Sequence, residues 1–223
     1  MPHVAVLLSG CGYLDGAEIT ESVATLIALD QAGISYDCFA PNRSHMHVVD
    51  HLSIQPQADA RNILAESARI ARGRIADLTG LDAGRYDALL MPGGFGAAKN
   101  LCNFAEQGQQ ATLYADVEAA VLAFIQAKKP LVAICAAPLV LALAARTAGI
   151  AGARLTVGAG GEPLSEAINA WGQQHIVTPL TEACVDPLNR FITAPAYMYG
   201  DAGPAQIFAS VSAAIAALRG MLV

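Results

Sequence analysis

Short, almost wholly apolar runs alternate with helix-patterned stretches along this chain, and that alternation restricts its fold more than any other feature. His3–Ser9 is a β-rich run closed by Gly10-Cys11-Gly12, and Glu18–Ala32 reads as a helix that Gly33 stops. Ile34–Ala40, Tyr86–Met91 and Leu131–Ile134 repeat the strand pattern. Ala58–Arg72, Thr112–Ala127 and Ala137–Ala148 repeat the helical one. Residues 42–56 are irregular apart from a short strand at His47–Val49. Later, Arg154–Val157 reads as a strand, Pro163–Trp171 as a helix, and Ala183–Asp186 with Arg190–Thr193 as a hairpin about Pro187-Leu188-Asn189. A last, Ala-rich helix covers Ala205–Leu218. Strands apolar on both faces and separated by helices imply an α/β fold, with a mostly parallel sheet between two helical layers.

At 223 residues, the chain suits one domain over residues 1–223. Its hydrophobic content of 54% against 14% charged residues disfavours disorder. A net charge of −6 without a basic run argues against nucleic acid. Arg61, Arg69, Arg72 and Arg74 read as a solvated helix face. The longest apolar run, Leu131 to Ala145, contains Pro138 and is shorter than the roughly 18 residues of a spanning helix, so no membrane association is expected. Five widely spaced cysteines without a CxxC pair point to reduced thiols. With no signal-peptide pattern at Met-Pro-His-Val, they lead to the expectation of a cytoplasmic protein. His45, His47 and His51 cluster without metal-ligand periodicity, so neither a metal nor another cofactor is expected.

Ligands of open parallel sheets bind at the carboxyl ends of the strands. Three loops there carry the chemistry: Gly10–Gly16, Pro92–Gly96 and Cys135–Pro138. Cys135 follows an apolar strand and opens a helix, so its thiolate would lie at a helix N-terminus with Ala136 beside it. It is the candidate nucleophile; otherwise it is a small buried hydrophobe at a strand end. Gly93 and Gly94 let backbone N–H groups approach a ligand and hold an oxyanion. Glu18 has two readings that do not exclude each other: the N3 partner of an Asp15 helix cap, or a general acid/base beside the Cys135 sulfur. Cys11 is a loop residue, a pocket wall or a resolving thiol. Lys99, followed by Asn100, is a surface charge at a helix start or a ligand for a carbonyl or carboxylate. Tyr197 ends a strand as pocket wall or as core.

These residues resemble a known family. Ser9-Gly10-Cys11-Gly12-Tyr13-Leu14-Asp15-Gly16-Ala17-Glu18-Ile19 and Pro92-Gly93-Gly94-Phe95-Gly96-Ala97-Ala98-Lys99-Asn100-Leu101 are similar to two motifs of the ElbB-type isoprenoid biosynthesis glyoxalases. Cys135-Ala136-Ala137-Pro138 and Thr193-Ala194-Pro195-Ala196-Tyr197-Met198 are similar to two more. The resemblance covers essentially the whole chain and places it in the PfpI-like, class I glutamine amidotransferase-like superfamily. It implies a flavodoxin-like three-layer sandwich with a nucleophile-elbow cysteine, and a homodimer, which the apolar Ala205–Leu218 helix also favours. It further implies Cys135 as nucleophile, Glu18 as the paired carboxylate, and cofactor-free conversion of a small aldehyde substrate, glyoxal or methylglyoxal, to glycolate or lactate.

The chain departs from two other branches. Ala136 stands where peptidase-type members carry a histidine. The elbow Ala133-Ile134-Cys135-Ala136-Ala137 lacks the flanking glycines of glutaminases, and His175 is followed by Ile176-Val177 rather than by a His-x-Glu pattern. The alternative to a glyoxalase is a non-enzymatic protein, a thiol redox sensor or an accessory factor in isoprenoid metabolism, whose Cys135 is oxidised instead of turning over substrate.

Overall fold

The computed structural model describes residues 1–161 and 163–222. Among the described residues, eleven strands form: β1 His3–Leu7, β2 Ser35–Ala40, β3 Val48–Asp50, β4 Gln55–Gln57, β5 Ile75–Asp77, β6 Ala88–Met91, β7 Leu131–Ile134, β8 Arg154–Leu155, β9 Gln174–His175, β10 Cys184–Asp186 and β11 Phe191–Ala194. The α-helices are α1 Ile19–Gln31, α2 Ile63–Ile70, α3 Phe104–Gln107, α4 Ala115–Gln126, α5 Pro138–Thr147, α6 Pro163–Ala170 and α7 Pro204–Met221. Among the described residues, no helix is long and apolar enough to cross a membrane.

Seven strands make the central sheet in the order β10-β11-β7-β6-β1-β2-β5. All neighbours are parallel except β10 and β11, the hairpin read from the sequence. The chain steps from β1 to β2 in one direction and from β6 to β7 in the other. Right-handed crossovers therefore place α1 and α4 on opposite faces, giving three layers. β1, β6 and β7 are buried on both faces from Val4, Ala88 and Leu131 onward, which is why they read as unbroken apolar runs. On one face α7 packs its Ile207, Val211, Ala214 and Leu218 side toward α1, β7 and β11. On the other, α4 packs against α5.

The strand order reverses between β1 and β6, which opens a crevice at their carboxyl ends. The loops after β1, β6 and β7 all emerge there, as the alternation predicts.

Several boundaries differ from those read in the sequence. α2 begins at Ile63 instead of Ala58, because Asn62 caps it by accepting the Ala65 N–H at 3.0 Å. The segment 42–57 forms a β3–β4 hairpin whose second strand, Gln55-Pro56-Gln57, is wholly exposed and carries no apolar signal. β5 is a sheet edge, and β8 pairs with β9 in a separate two-stranded ladder. After the Gly-rich loop, Ala97–Leu101 winds into a wide π-helical turn.

Candidate active site

Cys135 has φ of 60°, a left-handed conformation that a side chain rarely takes. Its neighbours hold it there. The Cys135 N–H donates to Ala194 O at 2.9 Å, continuing the β7–β11 ladder, and the Ala137 N–H turns back to Ile134 O at 3.0 Å. Pro138, whose missing N–H is harmless at a helix start, then opens α5. This strand–turn–helix elbow points the thiol across the crevice. The residue is 7% exposed.

The carboxyl against the sulfur is that of Glu21, and this corrects the pairing of Cys135 with Glu18. Glu21 lies one turn into α1, is fully buried, and is hydrogen-bonded with the Cys135 thiol. Gly93 N–H donates to its Oε2 at 3.0 Å and Tyr197 N–H to its Oε1 at 3.2 Å. Burial first, and then the negative charge of Glu18, push the Glu21 carboxyl up to about 8, against these hydrogen bonds. The Cys135 thiol is pushed well above its ordinary value by burial and by Glu21. Gly94 and Ala136 N–H groups face the sulfur and favour the thiolate. Cys135 and Glu21 are thus a coupled pair that titrates as a unit.

Glu18 is the N-cap of α1, accepting the Glu21 N–H at 2.6 Å through Oε2. The cap read from the sequence is present but shifted: Asp15 does not cap α1. Its carboxylate is buried and accepts the Val49 N–H at 2.7 Å, tying the β1 loop to β3. Glu18 also lines the cavity over Cys135, where burial raises its carboxyl above the usual range.

Gly93 and Gly94 have separate tasks. A side chain at 93 would overlap the Cys135 Cβ and the Glu21 carboxylate. Its N–H is committed to Glu21, so it is not the oxyanion donor expected from the sequence. Gly94, with φ of 92° and packed on the Gly16 carbonyl, turns its N–H to the sulfur instead.

The cavity above the thiol has a volume of about 650 Å³ and includes Gly94, Ala136, Glu18 and Tyr197 in its lining. Lys99, Asn100 and Cys11 are not part of that lining. The π-helical turn carries Lys99 away, and its Nζ donates to Leu14 O at 2.7 Å. Asn100 is buried, with Nδ2 donating to Ser9 O at 2.8 Å and Asp15 O at 2.7 Å, and stitches the β1 loop to the Gly-rich loop. Cys11 is half-buried on the α2 side, where desolvation and Glu66 raise its thiol. His45 and His51 serve as loop supports. His45 Nδ1 lies 2.9 Å from Asp15 O, and His51 Nε2 accepts the Leu14 N–H at 3.3 Å.

Glu21 had one signal in the sequence. It shares the buried side of α1 with Ser22, Thr25, Ala28 and Leu29, so a carboxylate sits where the helical period requires a core residue.

Comparison with known proteins agrees with this geometry. Residues 10–186 match the DJ-1/PfpI family. The chain is 45% identical over 205 residues to the Homo sapiens glutamine amidotransferase-like class 1 domain-containing protein 3, mitochondrial, covering 88% of this chain and 75% of that one. It is 35% identical over 213 residues to the Danio rerio ES1 protein, mitochondrial, covering 88% and 77%. Among solved structures, an isoprenoid biosynthesis protein with amidotransferase-like domain from Ehrlichia chaffeensis superposes with a TM-score of 0.90 at 33% identity, covering 98% of this chain and 99% of that one. The relatives named mitochondrial overturn the cytoplasmic placement read from the N-terminus and the reduced cysteines. The elbow cysteine, the flavodoxin-like three-layer sheet and the match over most of its length converge on one conclusion: this chain belongs to the DJ-1/PfpI family.

Proposed function

We propose that this chain is an ElbB-type, glutathione-independent glyoxalase that converts glyoxal to glycolate and methylglyoxal to lactate. One observation carries the reading: a thiol on a left-handed elbow, hydrogen-bonded to a buried carboxyl that titrates near 8, facing an open cavity. The isoprenoid biosynthesis protein of Ehrlichia chaffeensis supports the ElbB assignment through its fold and 33% identity.

Loss of one proton from the Cys135–Glu21 pair leaves a single proton shared between sulfur and carboxyl, and its transfer to the carboxyl gives the reactive thiolate. The thiolate adds to the aldehyde carbon and forms a C–S bond, and the new oxyanion becomes the hydroxyl of a hemithioacetal. Gly94 and Ala136 N–H groups support the charge as it develops. Glu18, on the cavity wall and held at the start of α1 by the Glu21 N–H on its Oε2, takes the proton from that carbon and returns it to the adjacent one. The intermediate is an enediol and the result a 2-hydroxyacyl thioester. Water then cleaves the C–S bond, releasing the hydroxy acid and restoring the thiol. Glu21, with both oxygens already held by backbone N–H groups, serves the sulfur and not the substrate carbon.

The test is hydroxy-acid formation from glyoxal and methylglyoxal without glutathione, comparing wild type with Cys135→Ala. Product that depends on Cys135 supports the glyoxalase. A folded wild type that makes none, while peroxide converts Cys135 to a stable sulfinic acid, favours the thiol sensor instead.

A further inference from the structure

The Cys135 cavity is much larger than a two- or three-carbon dicarbonyl needs. At about 650 Å³ it falls within the roughly 300–1,000 Å³ of sites that take drug-sized ligands. At about 30 Å³ for each water-sized unit, it has room for ~20 of them. Its lining is divided. The reacting groups, Cys135 with the Gly94 and Ala136 backbone and Glu18, make up one part. Tyr13, Phe95, Leu164, Tyr197, Met198 and Gly200 form the rest. Tyr13 is 45% and Phe95 47% exposed, so two aromatic rings present open surface at the rim, although His51 packs edge-on to Tyr13 and the Lys99 ammonium lies 5.7 Å over Phe95.

The charge pattern narrows the ligand further. Among the described residues of the lining, Glu18 is the only charged one, and none is Lys, Arg or His. The lysine that follows the Gly-rich loop, Lys99, lies outside this lining, with its ammonium donating to the Leu14 carbonyl and standing 5.7 Å over the Phe95 ring. A carboxylate or phosphate on the substrate would be desolvated beside Glu18 with no cation among the described lining residues to receive it. An uncharged apolar group would instead remove itself and the wall from water together.

We infer that the preferred substrates are α-oxoaldehydes whose ketone carbon bears an uncharged apolar or aromatic group, with glyoxal and methylglyoxal as poor minimal analogues. This rests on the glyoxalase reading. Tyr13, Phe95, Leu164 and Met198 are then specificity determinants, and the atoms that react are the same for every member of the class. Binding energy from the remote group positions the aldehyde at the thiolate and raises kcat/KM.

The experiment compares kcat/KM for methylglyoxal, hexylglyoxal, phenylglyoxal and 4-carboxyphenylglyoxal on the wild-type protein, with Cys135→Ala as background. Hexylglyoxal separates apolar contact from the electronic effect of an aryl ring. Hydrophobic pockets discriminate by roughly 10–200-fold per well-placed group. The expected result is hexylglyoxal and phenylglyoxal each at least about tenfold above methylglyoxal, with the carboxylated ring falling well below phenylglyoxal. Leu164→Ala should lower the hexylglyoxal-to-methylglyoxal ratio. Methylglyoxal turned over as well as the larger aldehydes, or the carboxylated ring preferred, overturns the inference and leaves the glyoxalase reading standing. No Cys135-dependent product from any of the four overturns both.

Discussion

Replacing Glu21 by glutamine should change how the stability of this protein depends on pH. The Glu21 carboxyl is raised from 4.5 in a free chain to about 8 in the fold. Between those values the unfolded chain has released the proton and the folded chain keeps it. The native state binds one more proton, so stability is complete below the unfolded value and falls as pH rises toward 8. The slope from this group is about 1.4 kcal/mol per pH unit, or roughly 3 kcal/mol between pH 5.5 and 7.5. Glutamine does not titrate, so Glu21→Gln removes that slope. It also adds a fixed penalty. Both Glu21 oxygens accept backbone N–H groups, from Gly93 and Tyr197, and an amide presents a donor to one of them. A lost buried hydrogen bond of this kind costs about 1–3 kcal/mol. The variant should therefore be less stable than wild type at pH 5.5 and equal or more stable by pH 7.5. His45 and His175, whose burial lowers their affinity for protons, tilt both curves alike and cancel in the difference. Urea unfolding of both proteins at several pH values measures it. Parallel curves would refute the reasoning, because they would mean that Glu21 is ionised in the fold.

Other expectations follow from the same contacts. For the wild type, kcat/KM should rise with pH through an apparent value near 8, the macroscopic titration of the Cys135–Glu21 pair; a flat profile from pH 6 to 9 would contradict it. Glu18→Gln should shift that titration downward, because Glu18 is a like charge that raises Glu21, and it should slow turnover more than it slows alkylation of Cys135 by iodoacetamide. Gly93→Ala should destabilise the fold by about 1–3 kcal/mol, since its Cβ overlaps Cys135 and Glu21, and chemical denaturation reads this directly. Asn100→Leu should cost about 1–3 kcal/mol with little effect on thiol titration, because it removes the donor of the buried Ser9 carbonyl and leaves the Asp15 carbonyl to His45 alone, outside the lining of the Cys135 cavity.

The sheet was legible because β1, β6 and β7 are buried on both faces, and burial leaves an unbroken apolar run. β4 was not legible. Gln55-Pro56-Gln57 pairs only along one edge of a hairpin and carries no apolar residue, so nothing in its composition separates it from a loop. The elbow at Cys135 could be read locally, since strand, turn and helix start lie within nine residues of one another. The carboxylate could not. Glu18 and Glu21 stand one helical turn apart, and choosing between them depends on N–H groups that arrive from Gly93, 72 residues away, and Tyr197, 176 residues away. Lys99 shows the same limit. It follows the Gly-rich loop in sequence, but the wide turn at Ala97–Leu101 sends its ammonium to Leu14 and away from the thiol.

The most direct measurement is rapid-quench mass spectrometry of the intact protein and its peptides during turnover of methylglyoxal. The account predicts a 2-hydroxyacyl thioester on Cys135 that forms and decays as lactate accumulates, and that is missing from Cys135→Ala. Lactate formed with Cys135 unmodified throughout, or adducts confined to surface lysines and arginines with no lactate, would contradict it.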